Sequence, residues 1–118
     1  PLVLLVNENS ASTTEIVSAA MKDLGRATLV GTKTFGKGII QYVMGLSDGK
    51  SGFQFTSAQY FSPKGNKVHK EGVTPDIEVE MPEELADRYF DLGDMADPQL
   101  KAAYDAALKL MPAQAAAK

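Results

Sequence analysis

The chain opens on Leu2-Val3-Leu4-Leu5-Val6, an unbroken apolar run of strand length, which predicts a strand covered on both faces of a sheet and parallel to its neighbours. Asn7-Glu8-Asn9 ends it with turn residues. From Ser12 the spacing turns helical. Ile16, Ala19, Ala20 and Leu24 share one stripe and Gly25 supplies the stop, so a helix is expected over 12–24 with that stripe as its apolar face. Ala27 to Val30 reads as a second strand, completing a β-α-β unit whose parallel connection should be right-handed. After the glycine-punctuated stretch Gly31 to Gly38, Ile39 to Leu46 and Phe53 to Phe61 are strand candidates. The Ser47-Asp48-Gly49-Lys50 turn between them predicts a hairpin.

Beyond it, Ser62-Pro63-Lys64-Gly65-Asn66 is a turn by composition, and Asp76 to Glu80 alternates polar and apolar as a half-exposed strand does. Pro82 to Gly93 carries a weak helical signal. Asp97-Pro98 opens a last helix with Leu100, Tyr104, Ala107, Leu108 and Met111 on one face. Residues 1–81 form the main α/β segment, and 82–118 a helical extension packed on it, with Ala113 to Lys118 as a frayed terminus or tail. The abrupt start in a strand-like run is what a piece of a longer protein would show.

Composition narrows the function. With 118 residues, 44% hydrophobic and 23% charged, one domain with an apolar core is expected. A formal net charge of −3 gives no electrostatic basis for nucleic-acid binding, which is discarded. No apolar run approaches the roughly 20 residues of a membrane-spanning helix. There is no cysteine, and the one histidine, His69, cannot alone build a multi-histidine metal site, so neither metal nor cofactor is expected. His69 itself reads as a surface residue.

Ser12, with Glu15 three residues later, has the spacing of a capping box. The same serine at a sharp strand-to-helix turn could instead project its hydroxyl into a cleft beside helix amides, and Ser10 or Thr13 would then have to cap. Gly31-x-x-x-x-Gly36-Lys37 nearly spells a phosphate loop, but Gly38 stands where Ser or Thr would hold magnesium, and a strand follows where a helix is needed. A serine nucleophile without a His-Asp pair needs another base. Burial disfavours an ammonium, so a buried lysine can serve. Lys37, flanked by Gly36 and Gly38 and next to Phe35, is the candidate. Lys33, Lys50 and Lys64 sit among turn residues and read as solvated. Gln41 shares the strand face of Lys37, although four positions span about 13 Å of regular strand. Contact between them needs a bend, and Gly38 is where a bulge is expected.

Val6-Asn7-Glu8-Asn9-Ser10-Ala11-Ser12-Thr13-Thr14-Glu15-Ile16 resembles the nucleophile motif of the carboxyl-terminal processing, or tail-specific, serine peptidases. The resemblance continues through Gly25 to Gly31, Thr34 to Gly38, Leu46 to Gly49, Tyr60 to Gly65 and Gly72 to Asp76, and Asp97-Pro98-Gln99-Leu100 is similar to the start of the family's last helix. It implies Ser12 as nucleophile, Lys37 as base 25 residues on, Gln41 as the glutamine that orients the lysine, and the Thr13 amide as one oxyanion donor. Thr13, Thr14 and Asn9 depart from the small residues common at those positions, which bears on the shape of the turn.

The fold implied is a crotonase-like α/β core of β-β-α units, present in part. An upstream PDZ domain and a glycine-containing segment with the second oxyanion donor are implied too, both outside this sequence. The implied substrate is a protein with an exposed C-terminal tail, and the implied location is outside the cytoplasm, in the periplasm or cell envelope. Losing one oxyanion donor costs on the order of 10²–10³ in rate, so these residues alone should be nearly inert. The rival reading is a noncatalytic module that uses the same fold for binding or assembly. Sheet edges lacking neighbours would also favour a homo-oligomer or strand-exchanged dimer.

Overall fold

The computed structural model of the protein describes residues 1–111. The elements run β1 (Val3–Val6), α1 (Thr13–Asp23), β2 (Thr28–Gly31), β3 (Ile39–Gly45), β4 (Gly52–Gln59), β5 (Ile77–Glu78), one 3-10 turn at Glu83–Leu85 and α2 (Pro98–Leu110). β1, β2 and β5 form a parallel sheet in that order, with Val3 beside Thr28 and Val30 beside Ile77. β3 and β4 form a separate antiparallel hairpin.

Alternation along β2 creates two cores. Leu29 faces Val6, Ala19, Val68 and Val73 on the α1 side, and Val30 faces Ala103 and Ala106 of α2 on the other, each at 0% exposure. Burying two such side chains contributes about 1.5–3 kcal/mol apiece. Asp76 extends the sheet beyond β5: its amide donates to the Leu29 carbonyl at 2.8 Å and its carboxylate accepts from the Leu29 amide at 2.9 Å.

The buried faces of both helices depart from the expected stripes, although Ala19 of the α1 stripe is buried as expected. α1 turns Glu15, Ser18 and Ala19 inward and leaves Ile16 and Leu24 exposed, because Glu15 is drawn into a polar junction described below. α2 buries Gln99, Ala103 and Ala106, while Tyr104, Leu108 and Met111 stay exposed. Small alanines let α2 approach the sheet closely, and the Gln99 amide donates to the Val79 carbonyl at 2.9 Å. Asp97 caps α2, accepting from the Gln99 and Leu100 amides at 2.8 and 3.2 Å, with Pro98 at the first helical position.

β1 is an edge strand, so only Val6 of it is buried rather than the whole run. The stretch 82–93 holds a single 3-10 turn instead of a helix, and the expected strand at 76–80 shortens to two residues. The hairpin forms as expected, but every residue from Ile40 to Gln59 is exposed. The alanine-rich terminus lies outside the described residues.

Candidate active site

Ser12 sits between β1 and α1 with φ 58° and ψ −117°, a backbone that side-chain-bearing residues rarely adopt and that costs on the order of 1–3 kcal/mol. Such a torsion persists only where the surroundings hold it. The Ser12 amide donates to Glu15 Oε2 at 3.0 Å, and its carbonyl accepts from the amides of Glu15 and Ile16 at 2.9 and 3.1 Å. The carboxylate half of the capping box is thus made, while the Glu15 amide closes on the Ser12 carbonyl and leaves the hydroxyl out of the cap. Neither Ser10 nor Thr13 takes that place, since the Ser10 hydroxyl accepts from Asn7 at 3.0 Å. The Thr14 amide donates to the Ala11 carbonyl at 3.2 Å, and the Thr13 amide, in the first turn, has no acceptor among the described residues.

Glu15 does far more than cap. At 0% exposure its carboxylate accepts from the Thr34 hydroxyl at 2.5 Å, the Gly36 amide at 2.6 Å and the Lys37 amide at 2.8 Å, besides Ser12. Thr34 Oγ1 in turn accepts from the Val73 amide at 2.7 Å, which directs its single proton to Glu15. Loop amides that would face a phosphate in a nucleotide site are occupied here by an internal carboxylate, and the loop leads into a strand, in line with rejecting that site. Gly36, at φ +91°, holds a backbone that favours glycine, and a Cβ there would crowd the Gly72 amide nitrogen at 3.1 Å.

Tyr60 completes the junction. Its hydroxyl lies 3.1 Å from the Ser12 carbonyl oxygen and in a short hydrogen bond with that of Lys37, and its ring packs on the α1-side core. Burial, then the Glu15 charge, push the phenol above its ordinary value of 10.0, so it stays a donor at neutral pH. Farther along α1, Asp23 accepts from the Ser62 hydroxyl and, at 2.9 Å, from the Lys64 amide, and these bonds hold its carboxyl below the usual range.

Ser12 and Lys37 therefore share one anchoring side chain, yet no hydrogen bond joins the hydroxyl to the amine among the described residues. Lys37 is exposed rather than buried, in a stretch where only the alternate residues Thr34, Gly36 and Gly38 turn inward. Gln41 is also exposed and does not bond to Lys37; its Oε1 accepts from Gln54 Nε2 at 2.9 Å across the hairpin. The register shift falls between Ile40 and Gln41, opposite an extra residue at Ser57, and not at Gly38. Lys33, Lys50 and Lys64 are solvated as expected. His69 departs from expectation: it is half-buried, its backbone is packed against Gly38, and its buried Nδ1 has no hydrogen-bond partner among the described residues.

In the sequence Glu15 and Tyr60 lie inside stretches that resemble the family, but Glu15 reads as a cap and Tyr60 as a strand residue, with no sign of the contacts described above. The one local signal was an acidic residue four positions before Ala19, on the side of the helix that carries Ala19 of the apolar stripe. Among the described residues no cluster of three His, Asp or Glu side chains could hold a metal, and no helix is long and apolar enough to cross a membrane.

The family model for peptidase family S41 matches residues 1–79. The carboxyl-terminal-processing protease of Synechocystis sp. is 47% identical over 105 residues, covering 89% of this chain and 24% of that protein. The chloroplastic C-terminal processing peptidase of Tetradesmus obliquus is 44% identical over 103 residues, covering 85% of this chain and 22% of that protein. The chain thus spans under a quarter of the length of these relatives. Among solved structures, the photosystem II D1 C-terminal processing protease superposes with a TM-score of 0.64 at 48% identity, over 68% of this chain and 20% of that one. With an ordered α/β core of the same kind and a match running from residue 1 to residue 79, the chain belongs to peptidase family S41, together with the carboxyl-terminal processing proteases.

Proposed function

We propose that this chain is the catalytic segment of a serine peptidase that cleaves proteins near exposed C-terminal tails, with Ser12 as nucleophile and Lys37 as general base. The observation that carries the proposal is the Glu15 carboxylate, which holds the amides of both residues, at 3.0 and 2.8 Å, beside a strained turn and an unengaged Thr13 amide. In this reading the neutral Lys37 amine takes the Ser12 proton and the alkoxide attacks a peptide carbonyl. The Thr13 amide faces the developing oxyanion. The lysine ammonium returns its proton to the leaving amine, and a water activated by the same amine releases the acyl-enzyme. Gln41 orients Lys37 once the hairpin bends toward it.

The proposal extends to what these residues lack. A second oxyanion donor, a cover that takes Lys37 out of water and a substrate-gathering PDZ domain belong to a longer protein, built on a crotonase-like core and acting outside the cytoplasm. Residues 1–81 are its core segment and 82–118 its helical extension. Self-association through the unpaired β1 edge is part of the same reading.

The exposure of Lys37 favours the rival, a noncatalytic binding or assembly module. Labelling by a fluorophosphonate, which needs an activated serine, separates the two. We expect the complete protein to be labelled and to degrade disordered casein, with both lost in Ser12→Ala and at least a 10³-fold lower rate in Lys37→Ala. The excised chain should be nearly inert. Casein cleavage by the complete protein that survives Ser12→Ala rules the peptidase reading out.

A further inference from the structure

We infer that Tyr60 is a positioning residue for the dyad: its one phenol proton, shared between the Ser12 and Lys37 carbonyls, sets the distance between nucleophile and base. This rests on the peptidase reading above. The two residues are held from both sides. Glu15 takes their amide protons, and Tyr60 donates to their carbonyl oxygens. Neither clamp touches the reacting hydroxyl or amine. Together they leave the Ser12 and Lys37 backbones little freedom to separate, and they hold the positive φ at Ser12.

Tyr60 is suited to this by its own anchoring. Its amide donates to the Gly38 carbonyl at 3.0 Å, and its ring rests on the cluster of Val6, Ala19, Leu29, Val68 and Val73. The hydroxyl is therefore the tip of a strut rooted in the core at the base of the hairpin. A phenol in this place donates one hydrogen bond and has two acceptors to serve, so it is sensitive to the separation of those acceptors. Phenylalanine preserves the strut and the packing but removes the bond to both carbonyls.

The test is Tyr60→Phe in the complete protein, read by casein kinetics, fluorophosphonate labelling rate and thermal midpoint, with Ser12→Ala alongside. The expected result is kcat and labelling rate lowered at least tenfold, KM within twofold of the parent and a midpoint shifted by no more than about 3 °C. Parent-like kcat and labelling overturn the inference. So does a kcat loss matched by a larger fall in thermal midpoint, or one expressed only through KM. Turnover persisting in Ser12→Ala overturns the peptidase reading and this inference together, whereas a parent-like Tyr60→Phe beside an inactive Ser12→Ala overturns the inference alone.

Discussion

Around Ser12 and Lys37, hydrogen bonds join residues 19 to 48 positions apart in the sequence and several of them are buried, whereas from Ile40 to Gln59 every residue is exposed and contacts run between neighbours within one hairpin. The junction is polar at its centre: a carboxylate, a threonine hydroxyl and a phenol each meet backbone groups of distant loops. The hairpin is held by its ladder, by stacking of Tyr42 on Phe55 with centroids 6.1 Å apart, and by a turn in which Asp48 accepts from the Lys50 and Ser51 amides. The contrast separates the proposed machinery. Ser12, Thr13 and Lys37 stand on or beside the internally braced junction, while Gln41 stands on an exposed arm joined to that junction at its base, where the Tyr60 amide meets the Gly38 carbonyl.

Removing the junction's hub should break this contrast most visibly. Glu15→Ala strands up to four donors, three of them backbone amides, at about 1–3 kcal/mol for each left unsatisfied. We expect at least about 3 kcal/mol of lost stability by urea unfolding, against less than about 0.5 kcal/mol for Gln54→Ala on the hairpin. Equal effects would mean that the junction is not the braced region.

A smaller effect separates two glycines. A Cβ on Gly38 would lie 2.4 Å from the His69 amide nitrogen, so Gly38→Ala forces the loop off the 68–73 segment at about 1–3 kcal/mol. Gly45 on the hairpin has nothing within 4 Å of the same atom, and Gly45→Ala should change the unfolding midpoint hardly at all.

The smallest expected effect belongs to the hairpin turn. The Ser51 hydroxyl, then the Ser51 and Lys50 amides, lower the Asp48 carboxyl from 3.8 to about 2. Because the folded value is the depressed one, the turn's stabilisation is complete above about pH 4 and fades as pH falls through about 2. Amide shifts of Lys50 and Ser51 followed by NMR should titrate in that window, and Asp48→Asn should remove the dependence.

Much of the architecture was legible because it is written in neighbouring residues. The helix over 12–24, the two strands flanking it, the hairpin around its Asp48-Gly49 turn and the Asp97-Pro98 helix start are all set by period, caps and turn residues. The faces of the helices were legible only in part. An apolar count favoured Ile16 and Leu24 beside Ala19 on α1 and Tyr104 and Leu108 on α2, but of these only Ala19 is buried, together with Ser18, Ala103 and Ala106, whose small size allows close approach. At the site, Ser12, Lys37 and their order along the chain stood out from the motif. The hub at Glu15, the strut at Tyr60 and the exposure of Lys37 did not, since each depends on segments far apart in sequence.

What the sequence by itself determined is therefore the set of elements and the residues with the means for chemistry, because propensity, capping and spacing act within a few residues. Only the tertiary structure decided which of those residues meet. Parallel pairing of β1, β2 and β5 brings the Ser12 turn, the 31–38 loop and the 68–73 segment together, and a carboxylate buried among them needs donors that only that convergence supplies.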